Sequence, residues 1–335
     1  MSLRTSAVLA LILASACTSQ ASTADSAPPV ASPPPKSTAT ASVTTSSSAA
    51  PATAVKAAFG TPFECGAFKC RRFETAATAV QTILDGDKPL ILGMGESHAQ
   101  KNDPKVPSTT ARFTEELLPL FKDRATSMVL ELWIADGTCG KKTEQKVAEQ
   151  QKAVTKNQAE ENPNEFLKLG NKSKELGITP FILRPTCAEV ETIKNAGDDA
   201  PLKMLDMITA SMKTKVSKQW TETSRKFPGK MVLTYGGAMH NDKQPKAGRE
   251  QWSFAADLDA LSKERYVELD LIVPEFIKDN PSWRALPWFP VYNAAQFGDA
   301  VLVVEVAPRS YALIFSRSPA PSPPTPAPDG KPEAQ

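Results

Sequence analysis

The two histidines of this 335-residue chain lie in matching settings, each three residues after a glycine at the end of an apolar run. Residues 90–98, LILGMGESH, pass from an apolar run to a carboxylate, Glu96, and an imidazole, His98. Residues 231–240, MVLTYGGAMH, repeat this arrangement and end in His240. Continuous apolar runs of this length predict strands that are buried on both faces. Both imidazoles are therefore expected at the carboxyl ends of central strands.

Two more polar side chains follow or interrupt apolar runs of strand length. Glu131 lies within VLELW, residues 129–133, and Arg184 ends PFILR, residues 180–184. Ligands of open α/β sheets bind beyond the carboxyl ends of the strands. The sequence therefore predicts a site at one sheet edge, formed by Glu96, His98, Glu131, Arg184 and His240.

Two imidazoles and two carboxylates are a plausible ligand set for one divalent metal ion, which would activate a bound water near neutral pH. The ligands would be Glu96, His98, Glu131 and His240, and oxygen and nitrogen ligands suit zinc, manganese, iron or cobalt alike. Without a metal, His98 would be a general base that Glu96 or Glu131 orients, with Arg184 stabilising an oxyanion. Taken singly, each residue also has a structural explanation, such as an ion pair between Glu131 and Arg184. The matching settings of the two histidines favour a functional site.

The segments that would position these residues alternate between helix and strand patterns. A helix is predicted to begin at Thr109 and Thr110 and to be shortened by Pro119. Residues 141–161, rich in Lys, Glu and Gln, predict a solvated helix or an arm over the domain. The other predicted helices cover residues 73–84, 164–176 and 201–220, and later strands cover residues 266–273, 301–306 and 311–315. We expect an α/β fold with a mostly parallel central sheet, helices on both faces and an antiparallel C-terminal edge.

The N-terminus has the pattern of an export signal, residues 1–17. Arg4 precedes an apolar stretch that is too short to span a bilayer, and small residues precede Cys17. This pattern is similar to a bacterial lipoprotein signal, in which the cysteine is lipidated. A plain secretory signal cut near Ala16 is the alternative. Either way we expect an extracytoplasmic protein, and with the lipid a protein anchored in the bacterial envelope, more often in the outer membrane.

Export changes the interpretation of the other four cysteines, because an oxidising compartment favours disulfides over metal sites. Cys65 with Cys70 would close a small loop. Cys139 and Cys187 each follow a predicted strand by a few residues, so they would meet if those strands are neighbours.

Composition divides the chain into a folded middle and two low-complexity ends. Residues 18–56 consist mainly of Ala, Ser, Thr and Pro, which predicts a disordered tether, and residues 317–335 predict a disordered Pro-rich tail. The α/β domain is predicted over residues 57–316. The formal net charge of +2, with both signs interspersed, gives no electrostatic case for a nucleic-acid partner.

Three motifs together resemble a known superfamily, that of ChaN-type haem-binding lipoproteins, erythromycin esterases, and the Tiki and TraB proteins. They are Gly95-Glu96-Ser97-His98, Glu131 in Val129-Leu130-Glu131-Leu132, and Gly237-Ala238-Met239-His240. The Tiki-like branch implies metal-dependent peptide hydrolysis with His98 and His240 as ligands. The esterase-like branch implies His98 as a base for ester opening, and the ChaN-like branch implies haem or iron handling.

These observations lead to one leading hypothesis and two alternatives. The leading hypothesis is a membrane-anchored hydrolase of a small-molecule or peptide substrate that uses the Glu/His cluster, with or without one divalent metal. The first alternative is a haem-binding uptake lipoprotein whose aromatic residues 283–292 form the pocket wall. The second is a catalytically inactive envelope interaction module.

Overall fold

The computed structural model describes residues 58–134 and 137–319, and a sheet of nine strands organises them. The order across the sheet is β1-β2-β8-β9-β7-β3-β6-β4-β5. The strands are β1 (Pro62–Cys65), β2 (Phe68–Phe73), β3 (Ile91–Glu96), β4 (Ala125–Trp133), β5 (Thr179–Leu183), β6 (Met231–Gly237), β7 (Tyr266–Ile272), β8 (Val301–Ala307) and β9 (Ser310–Ile314).

Parallel pairing joins β9, β7, β3, β6, β4 and β5, whereas β1, β2, β8 and β9 pair antiparallel at one side. The α/β class, the mostly parallel sheet and the antiparallel edge are thus confirmed.

The helices are α1 (Ala76–Asp87), α2 (Thr109–Arg112), α3 (Lys141–Thr155), α4 (Asn162–Glu175), α5 (Cys187–Asn195), α6 (Ala200–Lys226), α7 (Ala238–Asn241), α8 (Ala255–Leu261), α9 (Pro281–Arg284) and α10 (Ala294–Phe297).

The two faces of the parallel strands pack in separate apolar layers, because successive side chains of a strand point to opposite faces. On the first face, Leu92 and Met94 of β3 pack in one cluster with residues of α1 and α4. On the second face, Ile91 of β3 and Val129 of β4 pack with α6 and α8. Each central strand is therefore covered on both sides, as its continuous apolar sequence predicts.

Two local predictions need correction. The helix predicted from residue 73 begins at Ala76, since Phe73 ends β2 and the side chain of Thr75 caps the helix by accepting from Thr78 N. The cap of α2 is Ser108, not Thr109 or Thr110, because the Ser108 side chain accepts from Ala111 N. The hairpin β1–β2 escaped prediction because its charged sequence, FKCRRF, lacks the alternation of a half-buried strand.

Two disulfides link the predicted cysteine pairs. Cys65 and Cys70 bridge the β1–β2 hairpin, and Cys139 joins Cys187, the first residue of α5. Disulfides of this kind are typical of an oxidising, extracytoplasmic compartment. Among the described helices, none has both the length and the apolar character that crossing a membrane requires.

The described residues include the predicted α/β domain except residues 57, 135 and 136. The predicted signal with Cys17 and the predicted tether lie outside the described residues, as does the tail beyond residue 319. The described chain stays bound to the domain past residue 316. Arg112 donates to Ser316 O at 2.8 Å and to Ser318 Oγ at 2.6 Å, and Arg317 N donates to Gly298 O at 2.8 Å.

Candidate functional site

Glu96 ends β3 on the first face and accepts hydrogen bonds at both carboxylate oxygens. Its Oε1 lies 2.5 Å from Nδ1 of His98, and its Oε2 accepts from the hydroxyls of Thr110 and Tyr235, each at 2.7 Å. The residue is only 5 % exposed. A buried carboxylate requires such donors, since an unpaired buried charge is strongly unfavourable. The site therefore holds Glu96 as a fully bonded acceptor.

His98 takes its orientation from this carboxylate. Because an ionised carboxylate only accepts, Nδ1 of His98 carries the hydrogen of the 2.5 Å bond. The ring is 3 % exposed and lies edge-on to Phe166 of α4, with 6.1 Å between the ring centroids. The arrangement fixes both the tautomer and the ring plane.

The segment that follows His98 is joined to the connection between α3 and α4. Ala159 N donates to Ala99 O at 2.9 Å, Asn162 Nδ2 donates to the same oxygen at 3.0 Å, and Lys101 N donates to Asn157 O at 2.9 Å. We call residues 156–161 the cover segment. It pairs with residues 99–101, which directly follow His98.

Thr110 and Tyr235 reach Glu96 from two different elements. Thr110 belongs to α2, which passes directly into a π-helical turn, Phe113–Leu117, and π turns occur frequently at functional sites. Tyr235 is a fully buried residue of β6. Burial, and secondly the charge of Glu96, raise the pKa of the Tyr235 phenol, which therefore stays a donor.

Glu131 occupies the second face, on the opposite side of the sheet from Glu96. It lies on the same face of β4 as Val129 and Trp133, two residues away on either side, and packs against Gly236 of β6. Its Oε2 accepts from Gly237 N at 2.6 Å, whereas its Oε1 lies 3.6 Å from Nε2 of His240. Both side chains are almost fully enclosed, with relative exposures of 0 % and 2 %.

The other ring nitrogen of His240 defines its hydrogen-bonding state. Nδ1 lies 2.9 Å from Trp252 O and 2.9 Å from the hydroxyl of Thr209 on α6. Since a carbonyl oxygen only accepts, Nδ1 carries a hydrogen. A neutral ring would turn the lone pair of Nε2 toward Glu131, and a ring protonated at both nitrogens would form a buried ion pair with it.

The predicted site residues thus meet as two acid–imidazole pairs at the carboxyl ends of β3, β4 and β6. Glu96–His98 lies on the first face and Glu131–His240 on the second, a division that the sequence did not indicate. Arg184, one residue past β5, is exposed. Burial, and secondly the charge of Arg184, lower the pKa of Lys215 on α6, so Arg184 lies on the α6 side of the sheet.

The donor atoms do not fit a metal centre built from all four residues. Both oxygens of Glu96 and one oxygen of Glu131 are already bonded to protein donors. Glu131 Oε1 and His240 Nε2 face each other, two donor atoms where a catalytic zinc site uses three protein ligands. Within residues 58–134 and 137–319, no group of three or more His, Cys, Asp or Glu side chains could hold a metal ion.

A second group of acids lies on the second face beside α7. Burial raises the pKa of Glu268 on β7 to about 7, although Ser310 Oγ and Lys243 N donate to its Oε2 at 2.7 and 3.0 Å. Burial, and then the charges of Glu268 and Asp242, raise the pKa of Asp270 well above its usual range. These acids retain protons more readily than ordinary surface carboxylates.

The aromatic residues proposed as a haem pocket wall are engaged in packing. Trp288 is buried and lies edge-on to Trp283 and Tyr292, with ring centroids 5.9 and 6.5 Å apart. The same cluster contains Cys65 and Cys70 of the hairpin. The segment thus forms the cover of the antiparallel strands.

Sequence reasoning missed two of the donors to Glu96 and one neighbouring acid. Tyr235 offered a signal, because the hydroxyl of a tyrosine within a buried strand needs a partner. Thr110 was interpreted only as a helix cap. Glu165 of α4, which accepts a hydrogen bond from Ser108, lies on an ordinary amphipathic helix and gave no local signal.

Comparison with known proteins adds little to this description. No protein-family model matches the chain, and no curated protein matches it. A solved structure of the type III effector HopBA1 is 9 % identical, covers 61 % of this chain and 86 % of its own, and has a TM-score of 0.31. Similarity of this size carries no argument about fold or function, and the chain is assigned to no family on this basis.

Proposed function

We propose that this protein hydrolyses an ester or peptide bond with His98 as general base and Glu96 as the carboxylate that orients it. The observation that supports this most strongly is the 2.5 Å contact between Glu96 Oε1 and His98 Nδ1 inside a buried, fully bonded setting. A carboxylate that fixes the tautomer of a histidine is the recurring arrangement by which enzymes prepare an imidazole for proton abstraction. The resemblance of Gly95-Glu96-Ser97-His98 to esterase-type motifs points the same way.

In the proposed reaction, Nε2 of His98 removes a proton from the attacking water as the water oxygen bonds to the substrate carbonyl carbon. Glu96 stabilises the imidazolium that forms, because its Oε1 already accepts from Nδ1. Thr110 and Tyr235 occupy Oε2, so the carboxylate cannot rotate away from the ring. Since His98 is 3 % exposed, substrate binding requires a movement of the residues that enclose the ring.

The second pair has a supporting role in this proposal. Glu131 fixes Gly237 N at the point where β6 passes into α7, and His240 is tied to Trp252 and Thr209. Gly237 is the register partner of Glu96 on the adjacent strand. Glu131 and His240 therefore act as positioning residues for the strand end that carries the Glu96 site, and a metal shared by both pairs is not part of the mechanism.

Replacing the base and its partner tests the proposal. We expect His98→Gln and Glu96→Gln to lower kcat/KM on p-nitrophenyl acetate or a fluorogenic peptide mixture by about 10²–10⁴-fold, the usual contribution of a general base. Glu268→Gln is the matched control, since it makes the same chemical change at a buried carboxylate of the second face. Unchanged rates in both site variants, with circular dichroism showing intact folds, would contradict the assignment.

We also propose that the domain is held at the bacterial envelope by a lipid on Cys17. The small residues before Cys17 and the disulfides of the domain support this, because both are expected of an exported protein. Metabolic labelling with a palmitate analogue should mark the full-length protein and not Cys17→Ser. Equal labelling of both, or labelling of neither, contradicts the anchor.

A further inference from the structure

We propose that Glu165 is the general acid of this site and protonates the leaving group when the bond breaks. The inference rests on the proposed function, since it assigns the second half of the same reaction. A hydrolysis that begins with a base needs a proton donor for a poor leaving group. Among the residues of α4, Glu165 has the position and the setting for that role.

The first turns of α4 pack directly against His98 and the residue that follows it. Asn162 donates to Ala99 O at 3.0 Å, and the ring of Phe166 lies 6.1 Å from that of His98. Glu165 is on the same helical surface, between these two contacts in sequence. Burial and Glu96 are the main causes of the raised pKa of Tyr235, and the charge of Glu165 adds a smaller effect; the charge of Glu96 likewise adds to the effect of burial on the pKa of Glu165. Glu165 is therefore within electrostatic reach of both Glu96 and Tyr235.

The surroundings of Glu165 favour its protonated form. Burial raises its pKa above 4.5; the charges of Glu96 and Glu161 raise it further, while the hydrogen bond from Ser108 and the charge of Lys168 oppose them. The N-terminal half of α4 would by itself favour the carboxylate. The raised pKa shows that burial and the neighbouring acids outweigh the opposing effects.

Ser108 determines which oxygen of Glu165 can carry the proton. Its hydroxyl donates to Glu165 Oε2 and at the same time accepts from Ala111 N at 3.0 Å, so the serine hydrogen is directed at the glutamate. The acidic proton of Glu165 then belongs on Oε1. Glu165 is half-buried, in contrast to the enclosed Glu96, and so keeps some contact with solvent.

The two groups divide one balanced reaction. His98 Nε2 takes one proton from water as the new C–O bond forms and the carbonyl oxygen becomes negative. When the intermediate collapses, the bond to the leaving oxygen or nitrogen breaks with its electron pair, and the Oε1 proton of Glu165 goes to that atom. Transfer of the proton from His98 to Glu165 through solvent restores both groups. No oxidant, reductant or further reactant is needed.

Leaving-group dependence separates an acid from a structural residue. We expect Glu165→Gln to lower kcat/KM by about 10²-fold on an ethyl ester or an alkyl amide, which need protonation, and by less than about 3-fold on p-nitrophenyl acetate, which does not. Glu175→Gln, an exposed residue of the same helix, should change neither rate. Equal losses on both classes of substrate would overturn the role.

A second measurement does not depend on turnover. Carbon-13 NMR titration of the Glu165 carboxyl should give a raised pKa in the wild type and a lower one in Glu96→Gln, because the neighbouring negative charge is removed. A Glu165 pKa that is not raised in the wild type and does not change in Glu96→Gln overturns the inference. Failure of His98→Gln to affect any ester, with the NMR result as expected, contradicts the proposed base while leaving the link between Glu165 and Glu96 intact.

Discussion

The carboxylate of Glu131 has its position because the neighbouring strand carries glycine. A Cβ on Gly236 would lie 2.6 Å from the Cβ of Glu131 and nearer still to its Oε2. On β3, a Cβ on Gly95 would lie 2.6 Å from the Cα of Ala238 and closer to Asp270. Gly95 and Gly236 are register partners in adjacent strands. Because these two positions are glycines, Glu131 and Asp270 have the space to pack against the strands.

Gly236→Ala should therefore destabilise the protein and displace Glu131 from Gly237 N. We expect a loss of about 1–3 kcal/mol in the free energy of unfolding, the usual effect of overpacking a buried position. Urea denaturation measures it. Gly170→Ala in α4 is the control, because its Cβ would meet Leu130 Cδ1 at an ordinary 3.4 Å. Equal stability of Gly236→Ala and wild type would contradict the close contact.

The site residues that could be predicted from the sequence are of rare types and are marked by their immediate neighbours in the sequence. Glu96, His98 and His240 stand beside glycines at strand ends, so type and spacing together were sufficient to place them at the sheet edge. Thr110 and Glu165 are of common residue types and lie within helices. They become important only through contacts with Glu96 and Ser108 across the fold, and no local pattern records those contacts.

At the scale of elements, strands were easier to predict than the irregular helix between β3 and β4. β7 was predicted to within a residue because buried parallel strands are continuous apolar runs, whereas β6, predicted to end at His240, ends at Gly237. The α2 region contains a four-residue helix, a π turn and a 3-10 turn, Leu118–Phe121, around Pro119. This region packs against β6, with the rings of Phe113 and Tyr235 stacked at 4.7 Å, a long-range contact that the local periodicity of the sequence does not indicate.

The two disulfides close loops of very different length. Chain-entropy arguments give about 4 kcal/mol for the loop of sequence separation 48 between Cys139 and Cys187, and about 2 kcal/mol for the separation of 5 between Cys65 and Cys70. We expect the double variant Cys139→Ala, Cys187→Ala to lower the unfolding free energy more than Cys65→Ala, Cys70→Ala. Thermal unfolding of the two variants decides it, and the reverse order would show that the larger loop is held by other contacts.

For the molecule as a whole, the buried acids make stability depend on pH. The pKa of Glu268 rises from 4.5 to about 7 on folding. Between these values the unfolded chain has lost this proton and the folded protein still holds it, so unfolding releases a proton and stability falls as the pH rises. The cost of this carboxyl to folding therefore builds up between pH 4.5 and about 7 and is complete above that range.

Glu268→Gln should remove that dependence. We expect the variant to match the wild type near pH 4.5 and to exceed it at pH 8 by up to about 3 kcal/mol, since one pKa unit corresponds to about 1.4 kcal/mol. Urea unfolding at the two pH values measures the difference, and Glu250→Gln at an exposed position is the control. A Glu268→Gln variant that is less stable than the wild type at pH 8 would show that the charged form is favoured instead.

One strand also limits how the molecule meets its own copies. β5 is the last strand on the parallel side of the sheet, and its second residue is Pro180. Proline has no backbone N–H, so a strand of another molecule that paired with β5 would lack one backbone hydrogen-bond donor at this position. The sheet therefore ends in an edge that disfavours pairing with a strand of another copy of the chain.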